Sequence, residues 1–300
     1  MRKLVECVPN FSEGRDLKKI QAIADAARNR KSVKVLDVEH DGDHHRCLVT
    51  LVGEPEAVFQ AAWLMIKKAT ALIDMEKHQG EHPRIGATDV VPFIPVANVS
   101  MAESVGLAKR LGKKVGEELK IPVYLYEAAA TRPDRANLAK VRKGEYEGLK
   151  KEIVTNPDRK PDFGPARLHP TAGAMVIGAR KFLIAYNVNL DTQDVKVAQK
   201  IAKLVREKDG GFEAVKAMGF EIKDQGCVQV SMNLCDYQKT NLDVVFEKIK
   251  KEAEKAGVRV LGSEIYGMVP RAALEGIDLQ ALQLIEFKKD QILEERMKDD

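Results

Sequence analysis

One pattern of strand and helix periodicities occurs twice along this chain, and it limits the available folds more than any other feature. The first copy opens with LVECVPNF, Leu4–Phe11, which suits a strand. A helical stretch follows with Leu17, Ile20, Ala24 and Ala27 on one face. VKVLDVEH and RCLVTLVG then read as two strands joined by the polar turn DGDHH. Val58, Ala62, Met65 and Leu72 form the stripe of a second helix, with Pro55 in its first turn, where a missing N–H is harmless. VVPFIPV closes the copy as a strand. The order is β-α-β-β-α-β.

The second copy starts at FLIAYNVNL, Phe182–Leu190. A helix with Val197, Ile201 and Val205 on one face runs to Gly210-Gly211, a glycine stop. FEIKD and CVQVSMNL give two strands, Val245, Ile249 and Ala253 a helix, and VRVLGSEI the last strand. Each copy opens with a strand ending in asparagine, Asn10 in one and Asn187 and Asn189 in the other. The repeated order is the split βαβ arrangement of ferredoxin-like folds. The expectation is an α+β protein made by duplication: two ferredoxin-like (βαββαβ) sandwiches, each a sheet with helices on one face. The division expected is residues 1–178 and residues 179–300.

Further elements interrupt the first copy. Ser100 with Glu103 three residues on predicts a capping box for a helix through Leu119, and VYLY predicts a strand at Val123–Tyr126. Residues 156–182 pack four prolines and three glycines into 27 residues. A plain linker is one reading. The density of Phe163, Leu168, Met175, Val176 and Ile177 favours the other, a structured loop lining a cleft between the halves.

Composition excludes several classes. At 300 residues, 44% hydrophobic and 31% charged, the chain reads as globular and not disordered. No apolar run approaches the ~20 residues of a membrane span, and the N-terminus enters a strand directly, so neither membrane nor leader is expected. Cys7, Cys47, Cys227 and Cys235 form no CxxC pair, which fits reduced thiols in the cytoplasm. A net charge of +4 without a basic, aromatic-interleaved block argues against nucleic acid and suits an anionic small molecule.

The chemistry concentrates in HQGEHPRIGATDVVPFIPV, His78–Val96. His78 and His82 have the i, i+4 spacing of paired zinc ligands on a helix, but Gly80 and Pro83 oppose a helix there. The turn EHDGDHHR, Glu39 to Arg46, is a rival ligand cluster whose plain alternative is a solvated turn. For His82 two readings stand: a turn histidine held by a hydrogen bond, or a proton-transfer group titrating near neutrality. Its setting supports the second. Gly80 and Gly86 permit close approach, Arg84 offers a fork to a carboxylate, and an apolar strand after Asp89 anchors the turn.

LVECVPNFSEG, HQGEHPRIGATDVVPFIPV, IPVYLYEAAA, PDFGP, GARKFLIAYNVNL and GSEIYGMVP are similar to segments of the glutamate formimidoyltransferase family, the first catalytic domain of formimidoyltransferase-cyclodeaminase. The resemblance is collinear from Leu4 to about Arg296. It implies a duplicated ferredoxin-like fold with the active-site tunnel between its halves. It implies transfer of a formimidoyl group from N-formimidoyl-L-glutamate to N5 of tetrahydrofolate as co-substrate, with no metal, and a homodimer. It makes His82 the general acid/base. Its folate-contacting loop maps onto Gly164, Pro165, Ala166, Arg167, Leu168, His169, Pro170, Thr171, Ala172 and Gly173. Arg46, Arg84, Arg180 and Lys181 are candidates for substrate or folate carboxylates, a solvated or structural role being the alternative for each, and Asp37 and Glu39 for orienting His82 or the cationic donor. Asn10, Asn187, Asn189 and Asn233 are candidates for amides pointing into the tunnel, strand-end capping being the alternative. This chain departs from the animal members at Glu39 and His45, where they carry aspartate and asparagine, and in the wording of the folate loop. A formyl donor, through 5-formyltetrahydrofolate, therefore stays open beside formimidoyl. So do hydrolysis of the donor and a folate-binding role without turnover.

Overall fold

A computed structural model describes residues 2–28 and 30–298. The chain divides into two compact units, Met1–Arg180 and Lys181–Asp300. The division falls just past a strand at Met175–Ala179, which a cut after residue 178 would split.

The opening strand of the first unit is broken. β1 (Leu4–Cys7) and β2 (Asn10–Phe11) are separated by Val8-Pro9, where proline has no N–H for a ladder bond. α1 (Leu17–Arg28) buries Ile20, Ile23, Ala24 and Ala27, while Leu17 is 60% exposed, so Ile23 takes the place expected for Leu17. β3 (Val33–Asp41) and β4 (Arg46–Gly53) form an antiparallel hairpin. α2 (Pro55–Leu72) starts on its proline and leads to β5 (Thr88–Ala97). β1 and β2 lie between β4 and β5 and run antiparallel to both, giving the order β3-β4-β1/β2-β5.

α3 (Met101–Lys114) carries the expected capping box: the Ser100 hydroxyl accepts from Glu103 N, and the Glu103 carboxylate accepts from Ser100 N at 2.7 Å. The helix widens into a π turn over Val115–Leu119 and stops at Lys120, φ 56°. β6 (Val123–Glu127), α4 (Leu138–Val141), α5 (Glu145–Glu152) and β7 (Met175–Ala179) follow. β7 pairs in parallel with both β5 and β6, so the proline-rich segment contains a strand of the sheet as well as a loop.

Strand side chains alternate between faces. Cys7, Val49, Leu51, Val91 and Phe93 pack against α1, α2 and α3. Each fully buried large apolar side chain there stabilises by about 1.5–3 kcal/mol. On the opposite face Val90, Tyr124, Tyr126 and Val176 pack under Val141 of α4 and Leu149 of α5. Helices thus cover both faces at the β5-β7-β6 end, which corrects the one-faced sandwich expected for this unit. At the other end of that second face, the register puts Asn10, Asp37, Glu39, Arg46 and Thr50 together, each half-buried.

The second unit contains β8 (Ile184–Leu190), α6 (Val195–Val205), β9 (Val215–Ile222), β10 (Cys227–Leu234), α7 (Leu242–Lys255), β11 (Val260–Tyr266) and a short α8 (Leu293–Arg296). Its sheet is antiparallel in the order β11-β8-β10-β9. Pairing β1/β2 with β8, β3 with β9, β4 with β10 and β5 with β11 makes the two orders the same. Tyr186, Val188, Val230 and Met232 point at α6 and α7, whereas Asn187, Asn189, Gln229 and Glu264 lie on the opposite face. α6 ends earlier than expected. Arg206 turns extended, and Gly210-Gly211 lie beyond a separate 3-10 turn at Glu207–Asp209. None of the four cysteines is in a disulfide, and among the described residues no helix is long and apolar enough to cross a membrane.

Candidate active site

His82 lies in the loop between α2 and β5, and that loop takes its shape from the β3–β4 turn. Glu81 N donates to Asp43 O at 3.3 Å and His82 N to His44 O at 3.4 Å. Gly80 is pressed onto the same turn; a Cβ there would lie 2.6 Å from His44 O. Behind this contact the His45 and His78 rings stack with centroids 4.3 Å apart and planes 13° apart. His45 Nε2 meets the buried Glu13 carboxylate at 3.1 Å. His78 Nε2 bonds His45 O at 3.0 Å, and its Nδ1 accepts from Arg84 Nε at 3.2 Å. Arg84 reaches Glu145 at 3.0 Å and Glu147 at 2.6 Å. The turn DGDHH and the stretch HQGEHPR, remote in sequence, are one strut. Both ring nitrogens of His45 and of His78 bond protein atoms, and among the described residues no group of three or more His, Cys, Asp or Glu is arranged to hold a metal ion. The Arg84 fork, offered by the sequence to a substrate, is held by this chain's own glutamates.

The other side of the loop is joined to the segment Gly164–Gly173. Ala87 N donates to Ala172 O and Ala174 N to Ile85 O, both at 2.9 Å, and Met75 N donates to Thr171 O at 2.8 Å. Gly86 sits between them: a Cβ would lie 1.8 Å from Ala174 O, and no other residue fits. Inside the segment His169 and Gly173 exchange backbone hydrogen bonds of 3.0 and 3.2 Å, and His169 Nδ1 accepts from Ala172 N at 3.0 Å. Gly164 has φ +82° and lies against Ile121 O, whereas Ala166 and Arg167 are exposed.

Residues 4–180 match the family model described as "Formiminotransferase domain, N-terminal subdomain", and residues 185–298 match "Formiminotransferase domain". The chain belongs to the formiminotransferase family. It is 49% identical over 296 residues to a glutamate formimidoyltransferase of Thermoplasma acidophilum, covering 98% of this chain and 97% of that one. The glutamate formimidoyltransferase of Streptococcus pyogenes serotype M1 is 44% identical over 298 residues, 99% of each chain. The formimidoyltransferase-cyclodeaminase of Mus musculus is 45% identical over 279 residues, which are 91% of this chain and 51% of the mouse protein.

In this formiminotransferase chain the His82 ring is half-buried. Loss of water first, and then the charges of Arg46, Arg142, His44 and His78, push its pKa down to about 3. The expectation of an imidazole titrating near neutrality is therefore corrected: in the ligand-free protein His82 is a neutral base, held so first by burial and then by neighbouring positive charge. Glu39 moves the other way, up to about 7. Burial is the main cause, the neighbouring Asp37 carboxyl adds to it, and Arg46 opposes it. Glu6, buried in β1, is also raised to about 7 by burial, against the pull of Arg180. Arg180 also acts on the buried Tyr126 hydroxyl, opposing the upward push of burial on its pKa.

The sequence candidates thus separate. Asn10, Asp37, Glu39 and Arg46 share one sheet face, and Arg46 is electrostatically coupled to both His82 and Glu39. Arg180 lies beside Glu6 and Tyr126. Lys181 bonds Asp236 at 2.5 Å. In the second unit Asn187 is half-buried on the outer face of β8, and the buried Asn189 bonds Glu264 at 2.9 Å and Gln229 at 2.8 Å. Sequence reasoning missed Glu13, Arg142 and Glu6. A carboxylate inside the apolar run LVEC was the available signal for Glu6. Arg142, bonded to the buried Asp89, had none, because only the fold brings α4 back to the His82 loop.

Proposed function

We propose that this chain transfers the formimidoyl group of N-formimidoyl-L-glutamate to N5 of tetrahydrofolate. The observation that carries the reading is near-full-length identity, 44% and 49%, to proteins named glutamate formimidoyltransferase. The site supports it chemically. N5 attacks the amidine carbon of the donor, a C–N bond forms, and N5 must lose its proton as the glutamate nitrogen departs. His82, neutral and half-buried, is suited to taking that proton. The same cations that depress its pKa suit the donor's carboxylates, whose arrival offsets their charge and strengthens His82 as a base. The segment Gly164–Gly173, bonded to the His82 loop along Thr171–Ala174, is the proposed folate contact. The shared strand order of the two sheets supports a ferredoxin-like duplication as the scaffold.

Purified protein given N-formimidoyl-L-glutamate is expected to release glutamate only when tetrahydrofolate is present. Release without tetrahydrofolate would replace transfer by hydrolysis. No release from this donor, with release from N-formylglutamate and tetrahydrofolate, would make the transferred group formyl.

A further inference from the structure

We propose that His45, held as the imidazolium between Glu13 and the backbone of Gln79, is a positioning residue for His82. This rests on the transfer reading above. His45 Nε2 lies 3.1 Å from Glu13 Oε1, and its Nδ1 lies 2.9 Å from Gln79 O. A carbonyl oxygen can only accept, so Nδ1 carries a hydrogen. Glu13 is set up as an acceptor as well. Its Oε1 takes Arg15 N and Asp16 N at 3.0 Å each, and its Oε2 is 3.4 Å from Lys19 Nζ. It stands just before α1, where the end of a helix favours negative charge. Nε2 therefore carries a hydrogen too, and a ring with both is the cation. The pair is nearly sealed from water, with 15% of the His45 side chain exposed and 6% of the Glu13 side chain.

The ring stacked on His45 is arranged to leave it that charge. A guanidinium only donates, so the 3.2 Å bond from Arg84 Nε leaves His78 Nδ1 bare, while Nε2 gives its hydrogen to His45 O at 3.0 Å. His78 is thus neutral, as its burial also favours. A cation therefore stacks on a neutral ring 4.3 Å away and not on a like charge. The charged and titratable groups about His45 are Glu13 and Lys19 from α1 and its approach, and His78 and Arg84 from the His82 loop. His44 and Arg46 flank it in the chain, and His44 is bonded to Asp41 at 3.1 Å.

Gln79 is three residues before His82, and the bonds that hold the chain beyond it are long: Glu81 N to Asp43 O at 3.3 Å and His82 N to His44 O at 3.4 Å. The bond from His45 to Gln79 O is shorter, and a charged donor makes a hydrogen bond about twice as strong as a neutral one. Next to Glu13, the Ser12 hydroxyl donates to Gly86 O at 2.8 Å, and Ser12 N donates to Ala87 O at 2.9 Å. Ser12 and Glu13 thus grip the His82 loop on both sides, through His45 before the histidine and directly after it. When His45 loses its second hydrogen, one ring nitrogen faces an acceptor with nothing to give, and the first of those grips fails. His82 then keeps its chemistry and loses its place.

NMR of the nitrogen-labelled, ligand-free wild type reads the protonation with no substitution made. His45 is expected to show a hydrogen on both ring nitrogens at neutral pH, and His78 on Nε2 alone. A His45 ring with a bare nitrogen there overturns the proposal. In the same protein, kcat at saturating substrates should fall on the alkaline side in step with the loss of the second His45 hydrogen, while the melt stays intact. A kcat that ignores that loss also overturns it. His45 has φ 51°, a backbone that asparagine tolerates, so His45→Asn removes the ring with little strain and assigns its signals. In His45→Asn and in Glu13→Gln, kcat should fall by about 10- to 100-fold with both KM values within about threefold, and the alkaline limb should vanish. The double variant should be no slower than about threefold below the worse single, because both changes cut one link. Losses that multiply, or single variants within about threefold of the wild type, contradict the link. Absence of tetrahydrofolate-dependent transfer by the wild type would overturn the function proposed above, whereas the NMR signature needs no substrate and is judged apart from it.

Discussion

At the scale of single residues, two arginines that looked alike in sequence have opposite duties. Arg84 is buried and spans Glu145 and Glu147, so its removal is a structural loss. Arg84→Ala is expected to destabilise by about 1–3 kcal/mol, at the lower end because solvent screens both carboxylates. Urea denaturation checks the size, and an unchanged midpoint would show that the strut does not depend on it. Arg46 instead acts on the charge of its neighbours. Burial is the largest cause of the low His82 pKa and Arg46 the next. Arg46→Gln should therefore raise it, without restoring the ordinary histidine value. Titration of the His82 ring by NMR reads this directly, and a downward or absent shift would place Arg46 elsewhere in the electrostatics.

At the scale of elements, the folate-loop expectation is tested at Ala166 and not at Gly164. Gly164 has φ +82°, and a Cβ there would lie 2.5 Å from Ile121 O, so bulk at this position strains the fold whatever it does to ligands. Ala166 is exposed in the same segment. Ala166→Trp is expected to raise the tetrahydrofolate KM at least about fivefold with the donor KM unchanged, the sign of a contact made to one substrate only. Equal changes for both would give the loop a supporting role alone. The elements themselves were legible where local rules act alone. The Ser100–Glu103 box and the repeated strand-helix order needed only neighbours in sequence. β7 was hidden because a parallel strand buried between two others shows no alternation, and its five residues follow a proline-rich loop. α4 and α5 are four and eight residues long and their apolar stripes too short to count. The His45–His78 stack was illegible because 33 residues separate its rings.

At the scale of the whole molecule, buried groups of both signs set the pH range of stability. Glu6 stays protonated in the folded chain up to about pH 7, against 4.5 for the ordinary side chain. Stability from that raised pKa is complete below 4.5 and lost as the pH rises through 7. His82 runs the other way, its contribution present above 6.5 and lost as the pH falls toward 3. Glu6→Gln should accordingly raise the melting temperature relative to wild type more at about pH 8.5 than at about pH 5. A pH-independent difference would mean that Glu6 is not protonated in the fold.

The polar face of the first sheet becomes a catalyst only if His82 moves the N5 proton. The direct measurement is tetrahydrofolate-dependent glutamate release by His82→Gln, beside its affinity for folate and its melting temperature. Release should fall by about two to four orders of magnitude, with folate affinity within about threefold and an intact fold. Release within about threefold of the wild type would contradict a catalytic His82 and return it to the role of a turn residue.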